Sequence, residues 1–400
     1  MRTASQACHA EAPSAPEKQT LSVVPSTMSS SKTAFARHGL ELAIFATGLA
    51  AGVASSLRNN PVSAAAAWDV AASGPLWDPL RALLDSHPTA NEWAIHGEAL
   101  AGAITGSETP ADILDASTAA RIYHLYLPVY FFMRDRVRAH RAAGGRGAVA
   151  IGLSAPQGCG KTTLVDALVE RFAADGLTCA VISIDDFYLT GAAQDEVAAR
   201  SSDNPLLQVR GNAGTHDLAL GVATLNALKL GAVGPTGASK LRVPRYDKAA
   251  HQGRGDRAPP DTWPMLDQPP DVILLEGWMN GFAPVAADAP VLSEHAGLAE
   301  VNERLRAYDQ WHALMDAWVV LAVEDPEWVY GWRLQAEHAM AAKGRPGMSD
   351  AQVADFVARY MPAYKAFLPA LYAAARAGGV DGKPTLAAYV DAARRPVKPP

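Results

Sequence analysis

Residues 152–163 read G-L-S-A-P-Q-G-C-G-K-T-T, a run whose glycines, lysine and threonines suit phosphate chemistry. Glycines let backbone N–H groups converge on phosphate oxygens, and a helix start adds partial positive charge at the same point. Lys161 can neutralise β- and γ-phosphates there, and the Thr162 hydroxyl can ligate Mg²⁺. The loop so defined comprises Ala155, Pro156, Gln157, Gly158, Cys159, Gly160, Lys161, Thr162 and Thr163, with Ala155 at a first position that is usually glycine. Such a loop needs a buried strand before it and a helix after it. Residues 147–151 (G-A-V-A-I) are a short apolar run suited to a parallel strand. Leu164, Val165, Leu168, Val169 and Phe172 then recur at helical spacing, and Gly176 stands where the helix stops. A nucleoside triphosphate is the ligand this arrangement fits, with ATP the expected phosphoryl donor.

Phosphoryl transfer also needs an aligned acceptor and a group to take its proton. Three further apolar runs, at residues 179–184, 271–275 and 317–323, read as buried strands, and each ends in acid: Asp185-Asp186, Glu276 and Glu324-Asp325. Ligands of an open parallel sheet lie beyond the carboxyl ends of its strands. Asp185 is therefore the expected base and Asp186 the runner-up, the alternative being a turn or N-cap carboxylate. Glu276 suits the handling of Mg²⁺ and its water, so Thr162, Asp185 and Glu276 form the expected metal set. Arg333, in W-R-L-Q-A-E after the fourth strand, is expected as a lid arginine over the transferring phosphates. Its alternative is a helix-surface ion pair with Glu337.

Residues 190–270 form a polar, Gly/Pro-rich stretch with one short helix near residues 217–229. It is too long for an ordinary connection, and so is expected to be a substrate-binding insertion. Within it lie R-G-N-A-G-T-H-D at 210–217, P-R-Y-D-K at 244–248, His251, and R-G-D-R at 254–257. A small anionic acceptor would use such Arg and His donors. Arg210, His216, Arg245, Tyr246, Arg254 and Arg257 are the substrate-binding candidates, against the alternative of ordinary solvated loop charge.

The 400 residues are 49% hydrophobic and 19% charged, enough for one large core or two in a soluble chain. A net charge of -6 argues against nucleic-acid binding by phosphate neutralisation. Three cysteines, Cys8, Cys159 and Cys179, are too few for a disulfide framework and fit a reducing compartment. The place of Cys159 inside the loop leaves open an oxidant sensitivity. Residues 1–70 are Ser/Ala-rich, with Glu11, Glu17, Glu41 and Asp69 their only acids, and resemble an organelle transit peptide. Their apolar patch at 42–54 is too short to span a bilayer, so no membrane partner is expected. A signal sequence cleaved near residues 64–67, an internal start at Met28 and a disordered tail are the alternatives.

Residues 74–143 read as helical. Thr109-Pro110-Ala111-Asp112 looks like a helix start, and Ile122, Leu125, Tyr126, Val129, Phe132, Met133 and Val137 make an apolar stripe that Pro128 should kink. Residues 147–400 are the expected nucleotide domain, closing in a helical block that opens on a capping box at Ser349 and Gln352 and carries Val353, Phe356, Val357, Tyr360 and Met361 on one face. The fold expected is α/β, a parallel sheet of P-loop NTPase type flanked by helices, with an N-terminal helical extension.

Taken together, S-A-P-Q-G-C-G-K-T-T, S-I-D-D-F-Y-L-T, R-G-N-A-G-T-H-D, P-R-Y-D-K with G-R-G-D-R, L-E-G-W-M, W-R-L-Q-A-E and R-Y-M-P-A-Y-K-A-F-L-P resemble the D-glycerate 3-kinase family of plants, algae and fungi, over roughly residues 119–372. More distantly, D-x-F-Y and P-x-Y-D resemble uridine kinase, pantothenate kinase and phosphoribulokinase, where the Asp of D-x-F-Y is the base; that Asp aligns with Asp185. The resemblance implies ATP-dependent phosphorylation of the primary hydroxyl of D-glycerate, with Mg²⁺, by a chain expected to be monomeric. It also implies a place in photorespiration in the chloroplast stroma after transit-peptide removal, the alternative being the cytoplasm. The family tolerates Ala at position 155. Rival readings are a related kinase for uridine, pantothenate or a sugar phosphate, and a non-catalytic ATP-binding regulatory module. A nucleoside acceptor should bring stacking aromatics to the middle stretch, and a regulatory module has no need of Asp185 and Glu276.

Overall fold

Continuous apolar runs make strands that are buried on both faces, and four such runs form the centre of this fold. They are β1 (Val149–Ser154), β2 (Cys179–Ser183), β3 (Val272–Gly277) and β4 (Ala317–Val323). A fifth, β5 (Lys383–Val390), and an antiparallel edge strand, β6 (Pro396–Val397), extend the order to β6-β5-β4-β1-β3-β2, with β1 to β5 parallel, and the two residues Gly379–Val380 pair antiparallel with the start of β5 as a seventh strand. The computed structural model describes residues 63–105, 114–231, 241–344 and 347–400. The transit-like segment up to residue 62 and the helix start at Thr109-Pro110-Ala111-Asp112 lie outside them.

Two strands run further than their apolar stretches suggest. Gly152, Leu153 and Ser154 continue β1 by pairing with Leu275, Glu276 and Gly277, so Glu276 is part of the ladder rather than beyond it. Gly152 also faces Trp318 on β4, where an added Cβ would stand 2.2 Å from the indole. β5 is absent from the sequence reading, which ends in a helical block. The G-G-V-D-G turn at 378–382 followed by T-L-A-A-Y-V is its signature.

Helices cover the sheet: α1 (Ala64–Ala72), α2 (Ala90–Thr105), α3 (Leu127–Ala142), α4 (Lys161–Ala174), α5 (Leu218–Leu230), α6 (Trp328–Ala341) and α7 (Met361–Arg376). The first begins upstream of Gly74, at Ala64, and buries Ala67 and Ala71. Every residue of the apolar stripe from Ile122 to Val137 is buried, and so are Tyr123, Tyr130 and Phe131 on its other sides. Pro128 does not produce a simple kink. A π-helical turn, Ile122–Tyr126, precedes it, and the Leu127 N–H reaches back to the Ile122 carbonyl. The extra residue absorbs the hydrogen bond that proline cannot make. The Ser349 capping box is present, as is a helix capped by Asp217; a second helix in the middle stretch, Gly191–Arg200, was not anticipated. Among the described residues no helix is long and apolar enough to cross a membrane.

Leu386 on β5 is fully buried and pairs in parallel with Val319 on β4. Leu386→Ala is expected to cost about 2–5 kcal/mol of stability in urea unfolding. A wild-type midpoint would contradict the place of β5 in the sheet.

Candidate active site

β1 ends at Ser154 and the chain turns directly into the loop. The Ala155 N–H donates to the Gly277 carbonyl at 3.0 Å, and the side chain is wholly buried without a left-handed backbone, so alanine costs nothing there. The two glycines are required. Gly158 has φ +81° and would place a Cβ 2.7 Å from that of Trp332, while Gly160 has φ +98° and precedes the first residue of α4, Lys161. Pro156 is buried, and the Gln157 N–H is held by the Tyr364 hydroxyl at 3.1 Å. Thr162 and Thr163 lie exposed on the first turn of α4. Cys159 is buried, and burial pushes its thiol up to about 11. A protonated thiol is a poor nucleophile, so Cys159 is a packing residue here and the oxidant sensitivity loses its basis.

Parallel pairing places Glu276 beside Leu153 on one side and Ser183 on the other, so the carboxyl ends of β1, β3 and β2 share one edge. Lys161 donates to the buried Glu276 carboxylate. A single 3₁₀ turn, Ile184–Phe187, follows β2 and carries both aspartates. Lys248 donates to Asp185 at 2.5 Å. Burial opposes the ionisation of Asp185, but Lys248 and Lys161 outweigh it and hold the carboxyl down to about 2. Asp186 accepts from Arg245 at 3.0 Å and from the Ser183 N–H at 3.3 Å, closing a capping box. Burial nevertheless pushes it up to about 6. Asp186 is committed to the turn, and Asp185 is the carboxylate left facing the site.

The cationic candidates divide into two sets. His216, Tyr246 and Arg257 contact Tyr188, which stacks on His216 at 4.6 Å and meets Tyr246 edge-on at 5.3 Å, while Arg245 pairs with Asp186 in the preceding turn. Arg257 donates to the Tyr188 carbonyl at 3.1 Å and to Asp217 at 3.0 Å. In this set the Arg245 Nε, the Tyr246 hydroxyl, the His216 Nε2 and the Arg257 Nε are buried with no protein partner. Buried orphan donors in one place mark a polar ligand site. His216 is no cation, however, since burial pushes it down to about 4. Arg210 and Arg254 form the other set and organise the loop itself. Arg210 donates to the Gly253 and Arg254 carbonyls and covers the Tyr246 ring, and Arg254 pairs with the exposed Asp195. Of the tyrosines that border the site, Tyr246 is an expected candidate and Tyr188 is not; Tyr188 is packed between His216 and Tyr246.

Arg333 donates to the buried Glu337 one turn on and lies over Phe356 at 5.3 Å, so it takes the ion-pair alternative in this conformation. The arginine on this flank of the loop is Arg394, from the turn between β5 and β6. Its Nε donates to the Gly158 carbonyl at 2.6 Å, and its guanidinium lies over Trp332 at 5.1 Å. The Trp332 indole in turn donates to the Ala392 carbonyl at 2.8 Å. Arg394 takes a left-handed φ of 63°, uncommon for a non-glycine residue. Sequence reasoning missed it and Lys248, although Lys248 stood within P-R-Y-D-K.

Residues 150–290 match the family model described as the Phosphoribulokinase / Uridine kinase family. The chloroplastic D-glycerate 3-kinase of Arabidopsis thaliana is 47% identical over 313 residues, covering 77% of this chain and 67% of that protein. The uncharacterized kinase mug58 of Schizosaccharomyces pombe is 38% identical over 232 residues, covering 55% of this chain and 81% of its own length. A solved D-glycerate 3-kinase of Cryptococcus neoformans superposes with a TM-score of 0.59 at 31% identity, covering 68% of this chain and 97% of that one. A parallel sheet with this loop after β1 and carboxylates at the neighbouring strand ends defines a P-loop kinase. With relatives this similar over most of their length, the chain belongs to the D-glycerate 3-kinase family.

Arg394→Ala removes a charged donor from the Gly158 carbonyl. ATP affinity is expected to fall about threefold to tenfold in calorimetric titration, at the low end for a bond this exposed. Unchanged affinity would show that the contact contributes nothing to the loop.

Proposed function

We propose that this chain transfers the γ-phosphoryl group of ATP to the primary hydroxyl of D-glycerate, giving 3-phospho-D-glycerate. The observation that carries this reading is the set of orphan donors on Arg245, Tyr246, Arg257 and His216 beside the ionised Asp185, next to the phosphate loop. A small hydroxy acid offers one carboxylate and two hydroxyls to such donors. Arg245 and Arg257 hold the carboxylate. Tyr246 and His216 orient the hydroxyls, while Lys161 and the loop amides hold the ATP phosphates.

Asp185 orients the attacking hydroxyl and accepts its proton. A carboxylate held down to about 2 is a weak base, so the proton moves late, once the oxygen has bonded to phosphorus. Thr162, Asp185 and Glu276 offer only oxygen donors, which suits Mg²⁺; among the described residues no three acidic, His or Cys side chains are placed to hold a metal ion by themselves, so phosphate and water would complete its shell. When bound, Mg²⁺ neutralises charge on the β- and γ-phosphates. The acid-poor segment before residue 71 and the chloroplastic Arabidopsis relative support a plastid location and a role in photorespiration.

Coupled ADP release should be seen with D-glycerate and not with L-glycerate, uridine or pantothenate. Asp185→Asn should lower kcat about 10²–10⁴-fold, with ATP binding retained. Equal rates for the two proteins would remove Asp185 as the base, and turnover with uridine alone would overturn the acceptor.

A further inference from the structure

His216 is 5% exposed and makes one side-chain hydrogen bond, from Nδ1 to the Tyr308 hydroxyl at 2.6 Å. Which of the two groups supplies the proton follows from the other bond that this hydroxyl makes. The Gly214 N–H donates to the same oxygen at 3.0 Å, and Gly214 holds a φ of +99° that aims it there. An N–H can only donate, so the hydroxyl oxygen is already an acceptor. Were Nδ1 protonated, that oxygen would accept twice and the phenol proton would be stranded in a site where Tyr308 is 2% exposed. With Tyr308 O–H donating to Nδ1, the phenol proton is used and the one proton left without a protein partner is the Nε2–H, which a ligand oxygen can accept. Burial pushes the phenol well above its usual range and the imidazole down to about 4, so both stay neutral.

We propose that Tyr308 is a positioning residue that locks His216 in its neutral Nε2–H tautomer, presenting a buried, uncharged donor to an oxygen of the acceptor substrate. The Nε2 atom is buried and has no protein partner, and Asp185 acts electrostatically on the same ring. The ring itself is held in place by Tyr188 on one face and by edge contacts with Tyr308 and Trp311. A neutral donor orients a hydroxyl without competing with Arg245 and Arg257 for the carboxylate. The tautomer rests on the Tyr308 and Gly214 hydrogen bonds together with a ligand oxygen at Nε2, and the identity of that oxygen rests on the reading of D-glycerate as acceptor.

The test has two arms. In the full chain labelled with ¹⁵N-histidine, two-bond proton–nitrogen correlation spectra should show His216 protonated at Nε2 and not at Nδ1, the signal being assigned by its loss in His216→Gln. In Tyr308→Phe, the KM for D-glycerate should rise about tenfold, with the KM for ATP unchanged. His216→Gln keeps an amide N–H near the Nε2 position. It should retain D-glycerate binding within a few-fold and abolish the added effect of Tyr308→Phe. An Nδ1-protonated wild type, or a Tyr308→Phe protein with wild-type KM for D-glycerate, overturns the proposal. If D-glycerate is not turned over at all, the acceptor reading fails, and the spectrum still decides the tautomer.

Discussion

The pairing of β1, β3 and β2 in parallel, in one register, is the constraint on which the site depends. It brings Ser154, Gly277 and Ser183 to the same edge of the sheet and sets Glu276 one residue back from the loop. From that edge the chain leaves three times: into the phosphate loop and Lys161, into the turn of Asp185 and Asp186, and toward Trp278. No loop has to reach far to bring an ammonium group, three carboxylates and the helix start of α4 together. The Lys161–Glu276 ion pair is the consequence of strand ends lying side by side.

Each carboxylate at this edge has its own cation: Glu276 has Lys161, Asp185 has Lys248, and Asp186 has Arg245. In a partly buried cluster, loss of one partner leaves a charge that costs more than the pair contributes. The two adjacent aspartates also differ chemically: against burial, Lys248 and Lys161 hold Asp185 down to about 2, whereas burial pushes Asp186 up to about 6 despite Arg245. Asp186 holds Arg245 and the Ser183 N–H within the turn, whereas the partner of Asp185 is Lys248.

Much of this was legible in the chain. The loop, the four apolar runs and the acids at their ends are local patterns, and local patterns survive folding. The helix near residues 217–229 and the capping box at Ser349 were readable for the same reason. What failed to show depends on partners distant in sequence. Arg210, Arg254 and Arg333 look the same on paper as Arg245 and Arg257, yet Gly253, Asp195 and Glu337 claim them. Arg394 belongs to a turn after a strand that the helical reading of the C-terminal block hid. Its contact with Gly158 spans the whole nucleotide domain. The π-turn before Pro128 is a third case, since a proline signals a disturbed helix but not how the disturbance is absorbed.

A crystal structure with a non-hydrolysable ATP analogue and D-glycerate tests the central claim most directly. The account predicts the primary hydroxyl oxygen about 3 Å from the Asp185 carboxylate, in line with the γ-phosphate, and the glycerate carboxylate on Arg245 and Arg257. A hydroxyl on Asp186, or a carboxylate held by Arg210 and Arg254, would contradict it.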